Sequence, residues 1–298
     1  MLFDRQKRLL ALLDALGGRV GNLDFQKQLF LYCQESGSSP AYEFVPYKFG
    51  AFSFTSYADR RKLIEQGFLE EDEHTWKLTA EGQRAAKAAR SSGSYMAAYV
   101  RRYGGLTGDA LVAETYRQFP YYATRSEIAS RILRGDLEAL NRIEAARPTV
   151  KASVLNTLGY EGHTLESYLN QLLRSGVSLL CDVRRNPISR KYGFSKGTLS
   201  KGCSGVGIRY EHLPELGIES EQRHNLETQA DYDDLFDEYK SKWLPFQGAS
   251  LAKIHDWIQA GERVALTCYE RLFIQCHRHC VAKAVEVRYG KSFAAKHL

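Results

Sequence analysis

Two short apolar runs separated by an amphipathic segment most constrain how the second half of this chain can fold. Residues 153–159 and 177–183 have the length and aliphatic content of buried strands. Between them, residues 164–174 place apolar side chains at helical spacing, with Thr164 as the expected N-cap. Strand, helix and strand at this spacing predict a βαβ unit, and therefore a parallel sheet with a right-handed crossover.

A third apolar run, 264–267, leads into the densest chemical signal of the sequence. The thirteen residues 268–280 hold three of the six cysteines and two of the eight histidines. Residues 281–285 then favour a helix. We therefore expect the cluster at the carboxyl end of a strand and on the first turn of a helix. That is the edge of an α/β sheet where ligands bind, and the residues after the other two strands should face it too.

Length and composition set the broad class of protein. A chain of 298 residues is long for one average domain and predicts two. The hydrophobic fraction of 44% and charged fraction of 26% are those of an ordinary globular protein. No apolar run is long enough to span a bilayer and the N-terminus has no signal-peptide pattern, which predicts a cytoplasmic protein without a membrane partner. Reduced cysteines are expected in that compartment.

The net charge of +6 is only weak support for a nucleic-acid partner, since each half of the chain carries about +3. The predicted domains are a winged-helix-like domain at 1–84, a helical connector at 85–150 and an α/β domain at 151–298. Pro148, in the segment 147–151, marks the expected boundary.

Helical periodicity in the first half appears at 4–16, 23–33 and 55–67, and the predicted stops are Gly17, a glycine and proline break at 37–40, and Gly67. Residues 68–79 are predicted to form two short strands around an acidic turn. Three helices and a hairpin are the winged-helix order. The segments 47–53 and 65–69 resemble the winged-helix-like domains of phage-associated bacterial proteins. This resemblance implies a nucleic-acid or protein docking module.

A DNA-reading winged helix would offer the basic residues of its third helix to phosphates or to a groove. In this sequence those residues are Arg60, Arg61 and Lys62. The alternative is that they form a solvated helix face, and the acidic turn at 70–73 would be repelled by a phosphate backbone.

Four blocks of the second half resemble the domain-of-unknown-function family 488, in order and over about residues 152–290. They are TLGYEGHT at 157–164, CDVRRNPISR at 181–190, GIRYEHLPELG at 207–217, and CYE at 268–270 with CHR at 276–278. The resemblance implies an α/β domain with a polar site at the strand ends.

The matched residues predict a cleft in which carboxylates act as acids, bases or ligands and arginines hold an anion. The candidate catalytic residues are Asp182, Glu270, Cys276, Glu161 and Glu215. The candidate substrate-binding residues are Tyr160, Arg184, Arg185, Arg190, Tyr210, His277 and Arg278. Lys196, in a basic glycine-rich loop, is a further candidate nucleic-acid contact. For Asp182 the alternative is an ion pair with Arg184 or Arg185 that pins a loop.

The cysteine cluster permits three interpretations. Cys276, at a helix N-terminus beside His277 and Arg278, would have its thiolate favoured and could act as a nucleophile. A zinc or iron–sulfur site would use Cys268, Cys276 and Cys280 with a histidine, although the intervals differ from the short Cys-x-x-Cys pairs of structural zinc sites. Finally, the thiols can simply be buried in the core.

These patterns favour a nucleic-acid-processing enzyme, with DNA as the expected partner. The expected chemistry is hydrolysis at a phosphoester or N-glycosidic bond, as in DNA repair or phage defence. One alternative is a DNA-binding regulator whose second domain senses an anion or redox state. The other is a rhodanese-like transferase acting through Cys276. No cofactor is required by the sequence.

Overall fold

The chain forms two compact units, Met1–Arg147 and Pro148–Leu298. The computed structural model describes residues 2–36, 41–89, 94–149, 154–223 and 226–298. The glycine and proline break predicted at 37–40, the end of the predicted boundary segment at 150–151, and Ser153 lie outside these ranges. No helix in the described ranges is long and apolar enough to cross a membrane.

The first unit is largely helical and carries two small antiparallel pairs of strands, β1 with β4 and β2 with β3. Its helices are α1 (Asp4–Ala15), α2 (Asn22–Glu35), α3 (Phe54–Glu65), α4 (Ala80–Ala89), α5 (Ser94–Tyr103), α6 (Gly108–Gln118), α7 (Ala129–Ile132) and α8 (Leu137–Ala145). Its strands are β1 (Arg19–Gly21), β2 (Val45–Tyr47), β3 (Gly50–Phe52) and β4 (Thr75–Lys77).

The three predicted helices of the first 84 residues are present within a few residues of their expected ends. Of the hairpin predicted at 68–79, the structure contains β4 and a single β-bridge between Leu69 and Leu78. The strand that pairs with β4 is β1. No sequence pattern predicted the β2–β3 hairpin. The winged-helix interpretation stays a prediction.

One core joins these helices to part of the predicted connector. Trp76, Phe25 and Phe30 are fully buried in it, together with Tyr99 and Leu111 from the region after residue 84. Near its C-terminal end, the predicted helical connector is divided into two separate helices, α7 and α8. The break comes at Gly135, whose φ of +88° favours glycine, and at Asp136, whose side chain caps α8.

The second unit is a five-stranded sheet with helices between its strands. Its strands are β5 (Leu155–Gly159), β6 (Leu179–Asp182), β7 (Arg209–His212), β8 (Val264–Cys268) and β9 (Lys296–His297). Its helices are α9 (Leu165–Arg174), α10 (Lys196–Gly205), α11 (Gln229–Glu238), α12 (Gly248–Gln259) and α13 (Arg278–Tyr289). Every pairing is parallel, in the order β7-β6-β8-β5-β9, which confirms the predicted α/β fold.

The order of the strands creates a switch point between β5 and β8. From β5 the chain crosses through α9 to β6 on one side, whereas from β8 it crosses through α13 to β9 on the other. Right-handed crossovers in opposite directions place the two helices on opposite faces, and a crevice opens at the carboxyl ends of the two strands. Gly159 and Cys268 are register partners at those ends. The predicted meeting of the strand exits with the cysteine cluster is confirmed.

Lys27 of α2 is an unusual member of the first unit's core. It is 2% exposed, and its Nζ donates to the carbonyl oxygen of Ala51 at 2.9 Å. Burial lowers its pKa from 10.5 to about 7, because the charged form is poorly solvated there.

We predict that Lys27 makes the stability of the protein rise with pH above neutrality. Between about pH 7 and 10.5 the folded state holds a neutral Lys27 while the unfolded state binds the proton. The free energy of unfolding should therefore rise by about 1.4 kcal/mol per pH unit. Lys27→Met should remove this slope in urea unfolding series, whereas the exposed Lys62→Met should retain it. Equal slopes in both variants would show that Lys27 is charged in the folded protein.

Candidate functional site

A cleft of about 560 Å³ lies at the carboxyl edge of the sheet. It is lined by residues that follow β5, β6 and β8 and by residues from the long segment between β7 and β8. They are Tyr160, Arg184, Asn186, Ile188, Arg223, Leu226, Tyr232, Cys268, Tyr269 and Glu270. This volume is that of a small-molecule or nucleotide site.

Asp182 and Arg184 form a buried ion pair beneath the cleft. The Asp182 carboxylate accepts from Nε of Arg184 at 2.8 Å and from its Nη2 at 2.5 Å, and the two side chains are 0% and 4% exposed. The same carboxylate accepts from the backbone N–H of Arg184 and from the hydroxyl of Tyr210. These four hydrogen bonds give Asp182 a structural role. They correspond to the alternative stated from the sequence, in which Asp182 forms an ion pair with Arg184 or Arg185.

The remaining nitrogen of the Arg184 guanidinium connects two further segments of the chain to the Asp182–Arg184 ion pair. Nη1 donates to the hydroxyl of Tyr160 at 3.1 Å and to the carbonyl oxygen of Phe194 at 2.9 Å. Burial alone lowers the pKa of Arg184, but the hydrogen bonds and charge of Asp182 outweigh it and raise the pKa overall. Burial and the charge of Asp182 also raise the pKa of Tyr210. Arg184 is therefore a permanent cation whose donors are largely used within the protein.

Aromatic rings form one wall of the cleft. Tyr160 stacks on Phe194 with ring centroids 4.4 Å apart and lies edge-on to Tyr269 at 5.3 Å. Tyr160 is buried, whereas Tyr269 is 44% exposed and presents its ring to solvent. The wall thus offers a planar surface on which a ring can stack.

Glu270 is the carboxylate that lines the cleft, and two close contacts fix its backbone. Arg278, which is 1% exposed, donates to the carbonyl oxygens of Glu270 and Arg271 at 2.6 and 3.1 Å. Gly159 passes so near that a Cβ there would lie 1.8 Å from the Glu270 carbonyl oxygen, so this position requires glycine. Arg278 therefore positions the loop after β8 and does not face a substrate.

Two cysteines and a histidine converge at the inner end of the cleft. The Sγ atoms of Cys268 and Cys276 and a ring nitrogen of His277 all lie within 4.8 Å of one another, and all three residues are buried. Sγ of Cys268 is 3.8 Å from Nδ1 of His277 and 3.5 Å from Oε2 of Glu270. The predicted location of the cluster at the end of a strand and the start of a helix is confirmed, because Cys268 ends β8 and Cys276 precedes α13.

The structure corrects the expectation of a reactive Cys276 thiolate. Cys276 is 1% exposed, and burial raises the pKa of its thiol well above the ordinary value, with a further rise from the neighbouring Cys268. A buried thiol with a raised pKa is a poor nucleophile. Cys280 faces elsewhere, with its Sγ 3.4 Å from Nε2 of His279.

The other candidate residues do not line the cleft. Glu161 accepts from the backbone N–H of Arg271 at 2.9 Å, and Glu215 is exposed in the short turn 214–216. Arg185 pairs with Glu219 at 2.7 Å. Arg190 and Lys196 are exposed, and Nζ of Lys196 lies 3.3 Å from His212.

In the first unit, the three basic residues of α3 differ in whether their side chains bind the protein or are exposed. The guanidinium of Arg60 donates to the carbonyl oxygens of Asp72 and Thr75 and lies over the rings of Tyr57 and Trp76. It therefore holds the turn before β4. Arg61 and Lys62 are exposed.

Six of the residues that line the cleft were not predicted as site residues: Asn186, Ile188, Arg223, Leu226, Tyr232 and Tyr269. Asn186 and Tyr269 lie within the quoted blocks, so their strand-end positions were the available signal. Arg223 and Tyr232 come from the segment between β7 and β8, where no pattern pointed to the cleft. Arg223 also donates to the carbonyl oxygen of Ile218 at 3.1 Å.

The fold and the cleft define a parallel α/β domain with a ligand-type crevice at its switch point. Residues 164–285 match the family model described as a domain of unknown function, DUF488. This match confirms the resemblance to that family and contains the last three of the four sequence blocks, whereas the first block reaches it only at Thr164. No curated protein and no solved structure matches the chain.

We predict that Asp182→Asn lowers the free energy of unfolding by about 3–5 kcal/mol, because it leaves the buried Arg184 cation without its counter-charge. Adding Arg184→Met should restore part of that loss. Urea unfolding of both variants measures this. If Asp182→Asn keeps the wild-type free energy of unfolding, the carboxylate is not the anchor described above.

Proposed function

We propose that this protein is a nucleic-acid-processing enzyme that acts on DNA, with one nucleotide of the substrate held in the cleft at the end of the sheet. The observation that carries the proposal is the composition of the cleft. Among the described residues that line it, Glu270 is the one carboxylate, and it lies beside the tyrosines Tyr160, Tyr232 and Tyr269 and the arginine Arg223.

Each kind of side chain suits one part of a nucleotide. Aromatic rings stack on bases, and such contacts contribute about 1–3 kcal/mol per base. An arginine matches phosphate oxygens, and a carboxylate in the same cleft can serve as general acid or base. Reaction at a base in duplex DNA also requires the nucleotide to be extruded into a pocket of this kind.

The lining favours the N-glycosidic bond over the phosphoester bond. Phosphoester hydrolysis depends mainly on charge placed around the phosphoryl group, whereas the described lining of this cleft holds three tyrosine rings and one carboxylate. The buried Asp182 cannot serve as a second acid because Arg184 and Tyr210 occupy its oxygens.

In this proposal the first unit docks the DNA through the exposed Arg61 and Lys62 of α3. Arg60 is excluded because its guanidinium is engaged by backbone carbonyl groups. The other functions considered from the sequence find less support. The buried Cys276 argues against a rhodanese-like transferase, and a regulator would have no use for a cleft carboxylate.

We predict that Glu270→Gln lowers turnover by about 10²-fold or more while DNA binding is retained, because the substitution removes the acid–base group without changing the shape of the cleft. The assay incubates single-stranded and duplex oligonucleotides with normal, modified and damaged bases, and identifies products by mass spectrometry. The exposed Glu221→Gln is the matched control and should turn over as the wild type does.

The products separate the candidate reactions. Release of a free base identifies N-glycosidic chemistry, and shortened strands identify phosphoester chemistry. DNA binding without any product across the panel would contradict the enzyme proposal and favour a regulator.

We predict that the double variant Arg61→Ala/Lys62→Ala weakens DNA binding and lowers the slope of log affinity against log salt by about 2, because each lost phosphate contact releases about one counterion fewer. The charge-matched control is Arg84→Ala/Lys87→Ala on α4. If both variants change the slope equally, binding reflects net charge and α3 is not the docking helix.

A further inference from the structure

The three buried groups at the inner end of the cleft have the spacing of metal ligands. Sγ of Cys268 and Nδ1 of His277 are 3.8 Å apart, and Sγ of Cys276 lies within 4.8 Å of both. In a tetrahedral zinc site, with bonds of about 2.0–2.3 Å, neighbouring ligand atoms are about 3.5–3.8 Å apart. Binding a metal would therefore shorten these distances by at most about 1.3 Å.

The orientation of His277 is a second, independent observation. Its Nε2 lies 2.9 Å from the carbonyl oxygen of Val183, which can only accept, so Nε2 carries the proton. Nδ1 is then unprotonated in the neutral ring, and it lies 3.8 Å from Sγ of Cys268. Histidines that bind metals are held in this way, with the second nitrogen donating to a carbonyl or carboxylate.

The ligands belong to two ordered elements. Cys268 is the last residue of β8, and Cys276 and His277 immediately precede α13. The wide interval between the two cysteines, which argued against a metal on sequence grounds, spans the loop that Arg278 and Gly159 hold in place. A fixed loop can bring distant residues together as well as a short Cys-x-x-Cys turn does.

We propose that Cys268, Cys276 and His277 bind one zinc ion and leave its fourth coordination position open to the cleft. Two thiolates and one imidazole suit zinc, whereas iron–sulfur clusters take four protein ligands. Cys268 and Glu270 both line the cleft, which provides the entry path. Three protein ligands with a free position are typical of catalytic zinc sites, where the metal holds an activated water.

Glu270 lies beside that position, with its Oε2 3.5 Å from Sγ of Cys268. Its carboxylate can accept a hydrogen bond from a water on the metal. The inference about zinc binding does not rest on the proposed function, since a metal at this site is measured without any substrate.

The test measures metal in the purified full-length protein. Elemental analysis should find about one zinc ion per chain after purification or after reconstitution with Zn²⁺. Replacement by Co²⁺ should give thiolate-to-cobalt charge-transfer absorption and the intense visible bands of tetrahedral cobalt. Cys276→Ser and His277→Gln should each lose most of the bound zinc, whereas Cys280→Ser and the equally buried Cys181→Ser should keep it.

The wild-type measurements decide the question even if a variant fails to fold. Wild-type protein that takes up neither Zn²⁺ nor Co²⁺ would overturn the proposal. So would a native thiol count showing that Cys268 and Cys276 are joined as a disulfide, or a cobalt spectrum without the thiolate band. Zinc without activity on any nucleic acid would leave this inference standing and count against the proposed function alone.

Discussion

The buried guanidinium of Arg184 is the interaction on which the architecture of the cleft depends. It joins the end of β6, through Asp182, to Tyr160 after β5 and to the backbone of Phe194. A charge at this depth is tolerated because a carboxylate and three neutral acceptor or ring contacts surround it. Since these groups come from separate segments, removing the Arg184 side chain would break the connection between all of them.

A second buried arginine also holds neighbouring segments in place, on the other side of the switch point. Arg278, at the start of α13, binds the carbonyl groups of the loop after β8. Gly159 allows that loop to pass against the end of β5. Together they place Glu270 in the lining of the cleft and Cys268 at its inner end. Both arginines were expected to hold a substrate anion. In the structure both donate to oxygens of the protein, and Arg184 also lines the cleft.

The sequence predicted the parallel sheet and its strand exits well, because apolar runs of strand length and a capped amphipathic helix are local patterns. It predicted the site less well. Glu270 was identified by its position after a strand, but Arg223 and Tyr232 come from a segment with no such marker. A reactive Cys276 thiolate was one of three interpretations of the cluster, and it rested on the helix N-terminus and the basic neighbours of Cys276. Its burial, which raises the pKa of the thiol, is a property of the packing around it.

What the sequence by itself determined is which residues end strands, and hence which edge of the sheet bears the chemistry. Only the tertiary structure decided how the polar groups pair at that edge. In the folded protein Asp182 forms an ion pair with Arg184, and His277 rather than Cys280 contacts Cys268. Glu270 lines the cleft. The physical reason is that strand and helix patterns arise between near neighbours in the chain. The partner of a buried charge or thiol, in contrast, is set by contacts among residues far apart in sequence, where the cost of leaving a polar group unpaired selects the arrangement.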